Sequence, residues 1–206
     1  MARDENLPWV RGASFHSGDT VPSTEDLFGG KNIEGKEYVD EDVAPIGVTK
    51  VATGRKVVLK VVRNVSGVAL KPGRTVRFSA ASTAPFECRV EGYAIAASDR
   101  VAGVVDEYLP SAGVPNNDLF YIVVGGPTKL TQGATTGAAV TPGQRLVPVA
   151  YGATAGDDLG GRYAVQDLTG ATSVLANQIQ NAFAVAATTA AATVNGLVDA
   201  VVTLRY

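Results

Sequence analysis

Val57-Val58-Leu59-Lys60-Val61-Val62, the turn Lys71-Pro72-Gly73-Arg74, and then Thr75-Val76-Arg77-Phe78 form the stretch whose reading decides the fold. The first is a β-branched run suited to a pleated, buried surface, and the last alternates polar and apolar residues with the period of two that a strand imposes. In the turn between them, proline presets φ at the second position and glycine takes the left-handed third. Working outward, Cys88-Arg89-Val90-Glu91-Gly92-Tyr93, Val101 to Val105 and Leu119-Phe120-Tyr121-Ile122-Val123-Val124 read as further strands. Val114-Pro115-Asn116-Asn117-Asp118 and Gly125-Gly126-Pro127 carry turn chemistry, at the short spacing of sandwiches and barrels. These signals predict an all-β fold, a small β-barrel or β-sandwich, over residues 46–206.

Gly67-Val68-Ala69-Leu70-Lys71-Pro72-Gly73-Arg74-Thr75-Val76 matches Gly137-Ala138-Ala139-Val140-Thr141-Pro142-Gly143-Gln144-Arg145-Leu146 as G-x-A-[LV]-x-P-G-x-x-[VL]. Two copies predict two equivalent hairpins, because a solenoid needs at least about three repeats. Towards the end, the alanine-rich Val174 to Ala192 has room for one short helix, although Thr188-Thr189 lower its propensity. Leu197 to Tyr206, after the turn-like Asn195-Gly196, reads as a strand closing the sheet.

Residues 1–45 differ. Pro8, Pro22 and Pro45 and the pair Gly29-Gly30 interrupt them, no apolar period is sustained, and they read as an extended N-terminal arm that becomes ordered on a partner. Their isolated large side chains, Trp9, Phe15, Leu27, Phe28 and Tyr38, suit anchors that fill pockets on that partner. The arm holds four Lys/Arg against ten Asp/Glu, whereas residues 46–100 hold ten against three. Two arrangements satisfy this asymmetry: the arm folds back on its own domain, or arm and domain touch complementary patches of neighbouring subunits.

The residues offer little to catalysis, and the expectation is a protein that is not an enzyme and has no cofactor. A net charge of −2 and a pI near 5.4 give no bulk attraction to nucleic acid. One cysteine, Cys88, and one histidine, His16, supply neither an internal disulfide nor a zinc ligand set. Asp106-Glu107 are adjacent and point apart in a strand, which makes them surface acids, and Asp157-Asp158 lack the regularly spaced oxygens of a calcium loop. Without an apolar leader or a membrane-length apolar run, the expected location is the cytosol, or a particle assembled there.

Val101-Ala102-Gly103-Val104-Val105-Asp106 followed by Leu109-Pro110-Ser111-Ala112-Gly113-Val114-Pro115-Asn116-Asn117-Asp118-Leu119-Phe120 and, further on, Gly125-Gly126-Pro127-Thr128 resembles the capsid decoration (cement, head-stabilising) proteins of tailed phages. Their pattern is "AGV…LP…GVPN-D-F…V…GP", preceded by a G-x-A-L-x-P-G turn like Gly67 to Gly73. The resemblance covers roughly residues 60–150 and rests on turn and strand signatures. It implies a small β domain on the outer surface of the virion capsid, a homo-oligomer, commonly a trimer, that bridges subunits of the major capsid protein and strengthens the shell. A carbohydrate- or receptor-binding β module of a phage surface or fibre protein is the alternative.

Overall fold

Along Leu119–Thr131 the side chains of the first six residues are all buried, yet they divide between two cores. Phe120, Ile122 and Val124 enter one, while Leu119, Tyr121 and Val123 enter the other. A strand with both faces covered must lie at the centre of the molecule, and the remaining elements are arranged around it. The computed structural model describes residues 9–10, 13–14, 18–21, 33–46, 49–79, 88–94, 99–131, 139–149, 161–165, 184–189 and 197–204. These form β1 (Trp9–Val10), β2 (Ala13–Ser14), β3 (Glu37–Ile46), β4 (Thr49–Asn64), β5 (Thr75–Phe78) and β6 (Arg89–Tyr93). The chain continues with β7 (Val101–Val105), β8 (Leu119–Thr131), β9 (Arg145–Val149), β10 (Arg162–Val165), β11 (Ala184–Ala186) and β12 (Leu197–Thr203). The fold is all-β: β1 pairs with β2, and the other ten strands form one sheet in the order β10-β9-β11-β12-β8-β7-β5-β6-β4-β3.

The sheet curls into a partial ring. β4 pairs with β8 through Val58–Arg63, and a short parallel contact, Arg63 with Arg89 and Asn64 with Val90, joins it to β6. The ring β4-β8-β7-β5-β6 encloses Val62, Val76, Val90, Ala102, Val105, Phe120 and Ile122. On the same edge of β8, Gly125–Thr131 pairs with β12, from which β11, β9 and β10 continue as a second wing.

This wing repeats the ring. Read outward from β8, the order β8-β7-β5-β6 is answered by β12-β11-β9-β10. The two P-G turns occupy the same place in each unit. Gly73 N–H donates to the Val105 carbonyl (3.0 Å) and Val105 N–H to that of Arg74 (2.8 Å), just as Gly143 N–H donates to Ala186 (2.9 Å) and Ala186 N–H to Gln144 (2.9 Å). Both glycines have positive φ, 70° and 88°, the conformation the turn reading requires. Val104 pairs with Val123 and Val185 with Val201, so the fourth strands also correspond. Phe120, Ile122 and Val124 of the first unit therefore answer to Val198, Ala200 and Val202 of the second, all buried. The ten-residue match in sequence marks the start of a duplicated four-stranded unit.

Three expectations change. Gly125-Gly126-Pro127 is no turn: β8 continues through it, with a register shift where Leu59 pairs with Val123 and Val58 with Gly125, and Gly126 (φ 94°) is where β8 passes from β4 to β12. A Cβ on Gly126 would stand 2.3 Å from the Lys56 carbonyl oxygen, so glycine here answers a close backbone crossing. The boundary at 45/46 falls inside β3, which pairs with β4 from Glu37↔Lys60 to Ile46↔Thr49. Finally, Ala184–Ala186 of the alanine-rich stretch is strand β11, with no helix among the described residues; residues 174–183 lie outside them. The sequence-predicted strands at 57–62, 75–78, 88–93, 101–105 and 119–124 are present, the third beginning at Arg89, and of the stretch read as a strand over 197–206, Leu197–Thr203 is strand.

Candidate interaction surface

Most of the described residues of the acidic N-terminal stretch are engaged within their own chain. Gly18 N–H donates to the Asp106 carboxylate (2.9 Å), and Val21 exchanges backbone bonds with Leu119 (3.0 and 2.8 Å). Thr20 hydrogen-bonds Asp118, a bond that opposes the upward push of burial on the Asp118 pKa. Further on, Glu34 lies between Arg63 and Arg89, Glu37 pairs with Lys60 (3.5 Å), and Asp42 with Arg55 (2.7 Å). Of the two arrangements the charge asymmetry allowed, fold-back on the domain accounts for these residues. Tyr38, expected to anchor on a partner, packs on its own core, edge-on to Tyr121 at 6.2 Å between ring centres. Trp9 contributes backbone to β1, and Phe15, Leu27 and Phe28 lie outside the described residues.

The motif residues that carry the decoration-protein resemblance interlock at one end of the ring. Leu70 and Val114 bridge through paired backbone bonds of 3.1 and 2.8 Å. The fully buried Asn64 donates to the carbonyls of Val68, Val114 and Pro115 (2.8, 2.9 and 3.1 Å) and accepts from Ser66 through its side-chain oxygen. Asn116 accepts from Gly67 N–H at 2.8 Å, and Asn117 adopts φ 69°. The G-x-A-L-x-P-G and GVPNND segments are thus two halves of one scaffold, each satisfying the other's backbone groups.

Asp106, Glu107 and Cys88, singled out in the sequence for their chemistry, lie among the described residues. Asp106 is fully buried rather than a surface acid, because it caps the returning N-terminal segment, while Glu107 accepts from Lys129 N–H at 2.9 Å. Burial, with Glu34 nearby, pushes the Cys88 thiol above its ordinary pKa, which disfavours the thiolate that a nucleophile needs. Among the described residues no group of three or more His, Cys, Asp and Glu could hold a metal. His16, Asp157 and Asp158 lie outside them. Several cations of the basic segment stack on aromatic rings of the same chain: Lys60 and Arg100 on Phe78 (5.4 and 5.2 Å), and Arg74 on Tyr93 (5.4 Å).

What stays open is apolar. Leu197 and Val201 are 61% and 37% exposed on the wet face of β12, and Val39 is 57% exposed on β3. Pro127 and Val185 lie in register on either side of Val201, making an apolar row across three strands. In register with Lys129 of β8, Asp199 stands one pleat away on the same face, and both are exposed. The reading of 197–206 as a strand that closes the sheet missed this surface, although its alternation carried the signal: Leu197 and Val201 share the face of Asp199 and Thr203.

No protein-family model matches the chain, and no curated protein matches it. Among solved structures it is similar to the head fiber gp8.5 N base of bacteriophage phi29, at 15% identity over 73% of this chain and 99% of that one, with a TM-score of 0.39. Superposition that loose leaves the functional reading to rest on the chain's own residues.

Proposed function

We propose that this chain is a structural protein of a tailed-phage virion, a decoration protein that binds the outer surface of the capsid and stabilises it by bridging subunits of the major capsid protein. The observation that carries the reading is the interlocked scaffold of Asn64, Leu70, Val114 and Asn116, in which the segments resembling decoration proteins form one structural unit. A rigid β body whose described charges are largely paired internally suits binding by shape and apolar contact. Repetition does the rest: a few kcal/mol per copy, roughly, multiplies over a shell. Trp9, Phe15, Leu27 and Phe28 are the arm residues proposed to reach the capsid. Expanded shells carrying and lacking the protein, compared by heating or internal-pressure challenge, test the proposal. A higher rupture threshold at full occupancy is expected. Equal thresholds, with retention of the protein on a glycan column, would transfer the function to carbohydrate binding.

A further inference from the structure

The ring closes at a short joint, the one parallel pairing among the described strands. β4 and β6 meet there along two register pairs, Arg63 with Arg89 and Asn64 with Val90, and across them Arg63 N–H donates to the Cys88 carbonyl (2.9 Å) and Val65 N–H to that of Val90 (2.8 Å). The first pair sets two like charges on neighbouring strands about 4.8 Å apart, an arrangement that costs a sheet stability. Glu34 offsets it: its carboxylate, 6% exposed, bonds Arg63 and lies 3.6 Å from Arg89 Nε. Glu34 belongs to neither strand. It is carried on the turn at residues 33–36 that precedes β3, held to β4 by Gly35 N–H on the Val61 carbonyl (2.7 Å) and Val61 N–H on that of Lys36 (2.9 Å), with Ile33 buried in the core.

We infer that Glu34 is a latch that makes closure of the ring conditional on the N-terminal chain. With the turn at 33–36 seated, the β4–β6 seam is shut; with that turn lifted, both arginines lose the carboxylate they share and the seam parts while the rest of the ring stays folded. Arg63 is fixed in place independently of Glu34, because its Nη1 donates to the Asn117 carbonyl (2.6 Å), so it cannot swing away from Arg89 when the latch leaves. Asp118 also faces Arg63; burial raises its pKa and Arg63 lowers it. Two carboxylates thus answer the two cations while Glu34 is seated, and its withdrawal tips that balance towards repulsion at a half-buried rung. A two-pair parallel joint is the place to yield, since β4 is held to β8 on its other side by six antiparallel pairs, Val58 to Arg63. A pull on the N-terminal chain is thereby transmitted to the ring. The device goes beyond the capsid reading and does not depend on it.

Residue-resolved amide hydrogen exchange on the full chain tests it. Glu34→Gln keeps the shape and removes the charge, and it should speed exchange of the Arg63 and Val65 amides about tenfold or more. The amides of Val105 and Ala186, bonded to Arg74 and Gln144 elsewhere in the sheet, should keep their wild-type rates. Arg89→Gln alone should leave the seam shut, since Glu34 still holds Arg63. Added to Glu34→Gln, it should return most of the lost protection, because the like-charge pair is gone; a side chain that merely filled space would not be rescued in this way. Ile33→Ala loosens the turn with Glu34 intact, and it too should speed Arg63 and Val65 more than Val105 and Ala186, which carries the comparison should Glu34→Gln fail to fold. Wild-type rates at Arg63 and Val65 in Glu34→Gln, an equal rise at all four amides in both single variants, or a double variant no better protected than Glu34→Gln would each overturn the inference.

Discussion

The two four-stranded units share strand order, turn geometry and hydrogen-bond pattern, yet they differ in core and in cover. The first is filled by Phe120 and Ile122 where the second has Val198 and Ala200, and its outer face lies under N-terminal chain where that of the second is wet. Duplication preserves what the backbone demands, the P-G turn and the register. What side chains decide has diverged: how much apolar volume each unit buries, and what it offers to a neighbour. The first unit is therefore read as the body of the molecule and the second as its working surface.

The substitution expected to break the comparison most severely is at the junction. Gly126→Ala forces a side chain onto the Lys56 carbonyl at φ 94°, and should cost about 3 kcal/mol or more, read as a fall in Tm. Replacing Phe and Ile by Val and Ala removes several methylenes of burial at about 0.8 kcal/mol each. Amide hydrogen exchange should accordingly show β11 and β12 opening before β7 and the Leu119–Val124 half of β8, by about 1–3 kcal/mol. Equal protection would mean that the second unit draws its stability from elsewhere.

The turns sharpen the comparison. An added Cβ at Gly73 meets Thr131 Oγ1 at 3.1 Å and the Lys129 carbonyl oxygen at 3.2 Å, whereas at Gly143 nothing lies within 4 Å. Alanine at Gly143 should cost about 1 kcal/mol from positive φ alone, and at Gly73 measurably more, as two urea melts would show.

The smallest effect concerns Asp118. Burial raises its pKa above the ordinary 3.8, against the opposing influence of Thr20 and Arg63, so the native state holds this proton to higher pH than the unfolded chain does. Its contribution to stability is greatest below 3.8 and is lost as pH rises through the raised value, the reverse of a salt-bridged carboxylate. Asp118→Asn should flatten that limb of the stability–pH curve and leave its slope unchanged far above the window.

Much of this architecture was legible in the sequence. Thr75–Phe78 and Val101–Val105 are observed with the predicted ends, because alternation and β-branching report a strand directly. The repeated P-G turn located both copies of the unit. Two kinds of residue resisted. Glu37–Ile46 hid because its inward face carries Asp40 and Asp42, which no apolar period reveals; Asp42 is tolerated because Arg55 and Thr53 hydrogen-bond it (2.7 and 3.1 Å). Gly125-Gly126-Pro127 misled because glycine and proline usually punctuate, and here they admit a second backbone. The open face was least legible of all. Leu119 and Leu197 begin equivalent strands, and distant chain (the N-terminal segment, β4 and the second unit's core) covers the first and not the second.

Hydroxyl-radical footprinting of side chains tests that last distinction most directly. Leu197 and Val201 should be labelled while Leu119 and Val123 stay dark. Labelling of Leu119 and Val123 as strong as that of Leu197 and Val201 would contradict the account.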